Sequence, residues 1–341
     1  MPRTEGHEGF AIGVDIGGTK IAVGLADSQG RLKEELVLPT GAANGRDHVL
    51  NQVRRGIDEL RSRFAARHPG GVIVGIGVGT AGQVDFRSGK IVSTTGNLPG
   101  WFGTPIKDLL EAEYGLPVVV ENDVNAAAWG EKWLGAGRGV DHFVCLTIGT
   151  GVGGAVVDGG RMLRGTRGGA GEVGHLILFP EGLPCTCGRK GCLEAYVSGP
   201  AIVRRYLSAA ADLGQSPPPG EGEQVVRSQE VFQLAREGDP VARAVIGDTY
   251  RYLGYGIATL VNIFNPSRVI IGGGLSGVGD ELLLAIRQAV REYALQGIAQ
   301  EVEIVLAELG EKAGLYGAAY LVWEQVGRRE EGLQLVSGGE R

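Results

Sequence analysis

Apolar positions along this chain fall into two patterns: short, nearly continuous runs punctuated by glycine, and longer stretches where they recur every three or four residues. The first pattern reads as buried strands and the second as amphipathic helices. Phe10-Ala-Ile-Gly-Val-Asp15 is a strand that turns through Ile16-Gly-Gly-Thr19, returns as Ile21-Ala-Val-Gly-Leu-Ala26 and continues after Gly30 to Leu38. Residues 10–39 are therefore expected as three consecutive strands. Val49, Val53, Ile57, Leu60 and Phe64 give helical spacing over 46–67, and a buried strand, Val72-Ile-Val-Gly-Ile-Gly-Val78, follows. A helix over 105–114 leads to the short strand Pro117-Val-Val-Val120; Glu121-Asn-Asp-Val-Asn125 ends that strand and opens a helix through Trp133.

The plan then repeats. Phe143-Val-Cys-Leu-Thr147-Ile-Gly149-Thr150-Gly151-Val-Gly-Gly-Ala-Val-Val157 aligns strand, polar residue, turn and return strand with the first hairpin when Val14-Asp15-Ile16-Gly17 is laid over Leu146-Thr147-Ile148-Gly149. That is an internal duplication about 130 residues apart, without the short period of a solenoid. Helices are expected over 199–213, near 228–237, over 239–264, 280–296 and 312–326, with strands at 268–272 and 302–306. The Pro- and Gly-rich stretch at 215–223 reads as a loop, and the charged tail from Gly327 is expected to fray.

Composition narrows the class. A chain of 341 residues, 43% hydrophobic and 21% charged, is long enough for two domains with substantial cores. Its net charge of -6 gives no electrostatic footprint for nucleic acid. Apolar stretches break before membrane-spanning length, and Met1–Glu8 lacks a signal pattern, so neither nucleic acid nor membrane is expected as a partner and a cytoplasmic address is. Glycine is in excess, 60 of 341, and it gathers at strand ends, where backbones turn tightly or approach a ligand.

The glycine turns are candidate phosphate cradles, because successive small residues expose backbone N–H groups that no side chain shields. Asp15-Ile-Gly17-Gly18-Thr19-Lys20 adds a carboxylate for hydrated Mg²⁺, a hydroxyl and a cation. Alone, such a hairpin is more often structural; two related ones, with Gly272-Gly273-Gly274 after a third strand, point to nucleotide binding. No Gly-x-x-x-x-Gly-Lys-Ser/Thr motif is present, and Gly149–Gly154 returns as a strand instead of opening a helix, so it is a poor dinucleotide fingerprint. Asp123 stands where a strand ends and a helix begins. It can serve as a helix N-cap, as a general base for an attacking hydroxyl, or as both.

A third cluster carries metal chemistry. His175, Cys185, Cys187 and Cys192 supply one imidazole and three thiolates, a tetrahedral set for zinc. Three cysteines in eight positions cannot all pair, and bridging Cys185 to Cys187 would strain the ring. A disulfide contributes ~2–4 kcal/mol, a structural zinc site about 10–16 kcal/mol, so in a reducing compartment the metal reading wins. Four protein ligands close the coordination sphere and leave no water to activate. Glu172 and Glu194 flank the cluster and could accept from sugar hydroxyls, while His175 could ligate zinc with one nitrogen and face the sugar with the other; otherwise both acids lie on a solvated face of a remote zinc ribbon. Cys145, in an apolar strand, reads as inert and buried.

Taken together, Asp15-x-Gly-Gly-Thr-Lys20, Glu121-Asn-Asp-x-Asn125, Glu172-Val-Gly-His175 and Cys185-x-Cys-Gly-x-x-Gly-Cys192-x-Glu194 resemble the ROK family (repressor, open reading frame, kinase), and within it the bacterial ATP-dependent glucokinases. The resemblance runs from about 10 to 326. It implies an α/β protein of actin-like, hexokinase-type (ribonuclease H-like) fold, with two α/β domains flanking a cleft: 1–125 plus 312–341, and 126–311 with the zinc segment 175–192. It implies phosphorylation of the 6-hydroxyl of glucose by ATP with Mg²⁺, Asp123 as general base, structural Zn²⁺ on His175, Cys185, Cys187 and Cys192, and a homodimer or homotetramer. Sugar contacts fall on Asn97, Asn122, Asp123, Glu172, His175 and Glu194. Nucleotide contacts fall on Asp15, Gly17, Gly18, Thr19, Lys20, Thr147, Gly149, Thr150, Gly151 and Gly272–Gly274.

Fructose, mannose, N-acetylmannosamine or allose as the sugar, and polyphosphate as the donor, stay open at this level. The family also contains sugar-responsive repressors with a helix-turn-helix ahead of the first strand. Nine residues before Phe10 are too few for one, and the acidic chain argues against DNA.

Overall fold

The computed structural model describes residues 8–94, 98–214 and 227–337, with side chains described as far as 326. The expected 215–223 loop lies outside these residues. β1 (Gly9–Ile16) and β2 (Lys20–Asp27) form an antiparallel hairpin closed by the pair Ile16 and Ile21, and β3 (Leu32–Pro39) pairs with β2. Interior positions of β1 and β2 are buried on both faces, so their sequences run apolar without alternation. α1 (Arg46–Arg67) occupies the span read from its periodicity, with Val49, Val53, Ile57, Leu60 and Phe64 buried.

β4 (Val72–Thr80) joins β1 in parallel. A small antiparallel pair, β5 (Gln83–Asp85) and β6 (Lys90–Ser93), follows; it was not foreseen. α2 (Ile106–Tyr114) leads to β7 (Val118–Asn122), parallel to β4, and β7 runs directly into α3 (Asp123–Leu134). The first sheet has the order β3-β2-β1-β4-β7.

The second half repeats it. β8 (Phe143–Ile148) and β9 (Val152–Asp158) form a hairpin closed by Ile148 and Val152, and β10 (Arg161–Met162) pairs with β9. Then come α4 (Glu194–Val197), α5 (Gly199–Asp212), α6 (Ser228–Glu237) and α7 (Pro240–Phe264). β11 (Arg268–Gly272), α8 (Asp280–Tyr293), α9 (Gln296–Ala299), β12 (Glu303–Leu306) and α10 (Ala313–Ser337) complete the chain. The second sheet reads β10-β9-β8-β11-β12, the same plan as the first. In both hairpins the polar residue, Asp15 or Thr147, stands one position before the closing pair, which is the alignment the sequence suggests.

Two expectations change. The backbone stays helical to Ser337 instead of fraying at Gly327, because Arg, Glu, Leu and Gln fill most of the segment and favour helix more than its two glycines oppose it. The units also divide elsewhere than at 125/126: one comprises Met1–Gly139, Arg164–Ala170 and Glu308–Arg341, the other Val140–Leu163 and Gly171–Ala307.

Packing on α10 is what keeps α3 in the first unit. A Cβ placed on Gly130 of α3 would lie 2.2 Å from the Ala313 carbonyl oxygen, and one on Gly317 of α10 would lie 1.6 Å from that of Ala126. The two helix backbones touch. α10 meets the sheet in the same way, since a Cβ on Gly77 would stand 1.8 Å from the Ala318 oxygen.

Gly77→Ala is therefore expected to lower the thermal midpoint by several degrees or abolish folding, since the obstacle is backbone and overpacking alone costs roughly 1–3 kcal/mol. Gly247→Ala, exposed on α7 with no neighbour within 4 Å of its would-be Cβ, is expected to leave the midpoint unchanged or raise it. Circular-dichroism melts of the two variants decide this.

Candidate active site

In the first unit, Asp15 and Asp123 converge above Gly79. β1, β4 and β7 pair in register, so that Asp15 is opposite Gly79 and Gly79 opposite Glu121. A Cβ on Gly79 would sit 3.0 Å from the Ala126 Cβ of α3, 3.8 Å from Asp15 Oδ1 and 3.9 Å from the Asp123 Cα, so glycine lets α3 close on the sheet beside the two acids. The N-cap of α3 is Asn122, not Asp123: its Oδ1 accepts from the Val124 and Asn125 N–H groups at 2.9 and 3.2 Å. Asp123 is the first helical residue and shares the Val124 N–H with that cap. Its Oδ1 accepts from Asn122 Nδ2 at 2.9 Å and from the Val124 N–H at 3.0 Å, which fixes the direction of the carboxylate. Desolvation, reinforced by the Asp123 charge and opposed by Lys20, pushes the Asp15 carboxyl up to about 7. The charge of Asp15 is thus disfavoured by its surroundings, and a cation there would stabilise it. Beside them the Gly17 N–H donates to the Lys20 carbonyl at 3.0 Å, Thr40 Oγ1 donates to the Gly17 carbonyl at 2.7 Å, and Lys20 pairs with Glu311.

In the second unit, the β8–β9 turn carries Gly149, Thr150 and Gly151, with the Gly149 N–H donating to the Gly151 carbonyl at 2.9 Å. A cavity of about 780 Å³ opens from Gly149 and Thr150 and is lined further by Val203 of α5, Phe232 of α6, Gly274 and Leu275. That volume suits a nucleoside. Of the three glycines expected on the adenosine side, Gly274 lines the cavity. Gly273, at φ +82°, packs so closely on Ile148 that a Cβ would stand 2.5 Å from its oxygen, and Gly272 packs on Ala307. A Cβ on Gly18, Gly149 or Gly274 would meet no described atom within 4 Å, so packing among the described residues does not require glycine there.

His175 ends a 3-10 turn, Val173–His175. Its Nδ1 faces Cys185 Sγ at 3.8 Å, while its Nε2 faces Glu172 Oε2 at 4.0 Å. The two ring nitrogens thus have separate tasks available, one toward the thiols and one toward a ligand. One donor atom from each of His175, Cys185, Cys187 and Cys192 falls within 4.8 Å of the others, a set that fits tetrahedral zinc. All three thiols are free, with Cys187 and Cys192 3.7 Å apart. Burial and the neighbouring thiols push Cys192 up to about 12, so three thiolates can coexist only against a cation. Glu194 spans two features: Oε2 accepts from the Val152 N–H at 2.9 Å, and Oε1 accepts from Thr186 Oγ1 at 2.9 Å. It ties the metal loop to the end of the glycine turn.

A family model described as the ROK family matches residues 11–325. The chain belongs to the ROK family. The glucokinase of Halalkalibacterium halodurans is 38% identical over 325 residues, which is 94% of this chain and 97% of that protein. A ROK hexokinase from Thermus thermophilus matches with a TM-score of 0.79 at 39% identity, over 94% of this chain and 99% of that one. A ROK family glucokinase from Streptomyces griseus, in complex with glucose and AMPPNP, matches with a TM-score of 0.75 at 38% identity, over 92% and 98%. This ROK chain accordingly has the actin-like sugar kinase fold.

Asn97 lies outside the described residues. Sequence reasoning missed the cavity walls on α5 and α6; the available signal was Ser198-Gly-Pro200, a helix start placed directly after the metal segment. It also missed Gly314, whose would-be Cβ lies 2.6 Å from Asp15 Oδ2.

In protein free of nucleotide and magnesium, the raised Asp15 carboxyl holds a proton that the unfolded chain releases near pH 4. Stability from this group therefore falls as pH rises from about 4 to about 7. Asp15→Asn is expected to raise the melting temperature at pH 8 and leave it nearly unchanged at pH 4. Equal shifts at both pH values would show that Asp15 is not the perturbed group.

Proposed function

We propose that this ROK protein is an ATP-dependent glucokinase, transferring the γ-phosphoryl group of ATP to the 6-hydroxyl of glucose. The reading rests first on the carboxylate pair above Gly79: two acids in unlike surroundings, one directed by Asn122 and one desolvated, can divide proton and metal duties. The named glucokinase relatives give the sugar and the donor. Asp123 takes the proton of the 6-hydroxyl as O6 attacks the γ-phosphorus; the bond to the β-phosphate oxygen breaks and ADP leaves. Mg²⁺, when bound, would offset phosphate charge, with Asp15 as its protein-side carboxylate. Backbone amides at Gly17–Gly18 and Gly149–Gly151 would bind phosphate oxygens, and the cavity beside Gly274 the adenosine. Glu172, His175 and Glu194 would hold sugar hydroxyls, together with Asn122 and Asn97. Zinc on His175, Cys185, Cys187 and Cys192 would be structural, fixing the imidazole tautomer and leaving Nε2 for the sugar. Among the described residues no helix is long and apolar enough to cross a membrane, and thiols kept free for zinc suit a reducing cytoplasm.

ADP release with ATP against a panel of glucose, mannose, fructose and N-acetylmannosamine tests the reading. Glucose is expected to give the highest kcat/KM; preference for another hexose would refute the sugar, and no turnover with any would refute the kinase. Asp123→Asn is expected to lower kcat by ~10²–10⁴ while glucose still binds. Turnover near wild type would remove Asp123 as the base.

Cys187→Ala is expected to cut zinc, measured by plasma emission spectroscopy, below about half an equivalent per chain and to raise KM for glucose, because even loss of an outer-shell partner costs roughly 10–100-fold in metal affinity and this change removes a ligand. Full zinc content, or loss of zinc with unchanged KM and melting point, would separate the cluster from sugar binding.

A further inference from the structure

The residues that set Asp123 in place are themselves held by a group the sequence did not single out. Glu121, the penultimate residue of β7, is 1% exposed. Its Oε1 accepts from the Asn122 N–H at 3.1 Å and from Asn125 Nδ2 at 3.0 Å. Asp123 is therefore bracketed in sequence by two residues attached to one carboxylate. The other oxygen, Oε2, accepts from Arg164 Nε at 2.6 Å. A carboxylate so deeply buried needs a cation, and Arg164 supplies it.

Arg164 is well placed for that duty. Residues 164–170 belong to the first unit although the chain on either side of them belongs to the second. The segment is seated on the β5–β6 pair: a Cβ on Gly168 would stand 2.0 Å from the Val84 oxygen, and the Arg164 guanidinium carbon lies 3.8 Å from the centre of the Phe86 ring. The guanidinium is thus stacked on one side and hydrogen-bonded on its edge, an arrangement lysine cannot reproduce. Its Nη2 is buried and has no partner among the described residues, and the same holds for Asn125 Oδ1. These two unpaired groups, a donor and an acceptor flanking the same carboxylate, mark a polar cluster kept despite its cost.

We propose that Arg164 is a positioning residue for phosphoryl transfer. Through Glu121 it fixes the β7–α3 junction, and so the direction in which Asp123 presents its carboxylate. The proposal rests on Asp123 being the base of the proposed kinase. A base displaced by about 1 Å loses roughly 10²-fold in rate.

A mutant cycle measuring ADP release separates this role from general support of the fold. Arg164→Met is expected to lower kcat about 10–100-fold with KM for ATP within about twofold, and Arg164→Lys to recover part of the loss. In an Asp123→Ala background the same Arg164→Met change is expected to alter the residual rate by less than about twofold, because its route of action is already gone. Where Arg164→Met does not fold, Glu121→Gln/Arg164→Met removes both charges of the pair together and is judged by the same comparison. A folded variant with kcat within about twofold of wild type, or equal losses in both backgrounds, would overturn the proposal. A wild-type protein that phosphorylates no hexose would instead overturn the kinase reading on which it stands.

Discussion

Contact of backbone with backbone along α10 is the constraint on which the first unit depends. α10 lies against β1, β4 and α3 at positions where no side chain intervenes: would-be Cβ atoms on Gly13, Gly77, Gly130 and Gly317 all fall within 2.5 Å of a carbonyl oxygen across the contact. Such approach is available only to glycine. Because the helix sits this deep, its first turn reaches the end of β1, where Gly314 abuts the Asp15 carboxyl. Packing of this kind leaves little latitude for α3, and α3 begins with Asp123.

The duplicated sheets show one scaffold carrying two kinds of chemistry. At equivalent places before the hairpin turn stand Asp15 in one unit and Thr147 in the other. The first unit gathers Asp15 and Asp123 there, with Asn122 as the helix cap, Glu121 paired to a partly buried Arg164, and α10 packed close behind Asp15. The second instead opens its turn onto a cavity and braces it from the metal loop through Glu194. The two sheets share one strand order, and they differ in the side chains placed at the hairpin turn.

Legibility followed locality. α1 was readable to the residue because Val49 through Phe64 keep one period over several turns, and the His–Cys cluster was readable because His175, Cys185, Cys187 and Cys192 lie within 18 residues of sequence. β5 and β6, at three and four residues, offer too few positions for any period to show. Assignment of α3 to the first unit depends on α10, nearly two hundred residues away, and nothing local announces it. Within the site, residue types were legible and bonding was not: Asn122 and Asp123 are both good caps, and which one caps depends on the turn adopted after β7. Glu194 reaches Val152 across 42 positions, and Arg164 reaches Glu121 across 43. Such partners are set by tertiary structure.

The place of α10 in the chain also governs the order in which the protein can be made. Strands β1, β4 and β7 leave the ribosome early, but the helix that covers one face of their sheet follows only about 170 residues after Gly139. At ~5–20 residues per second that is a delay of roughly 10–35 s. During it the uncovered face presents Gly13, Gly77 and Ala11 where a sheet covered by a bulkier helix would present valine or leucine. Glycines that admit α10 in the finished protein thus reduce the apolar surface on this face, which is then carried mainly by Leu32 and Val74 while the sheet waits.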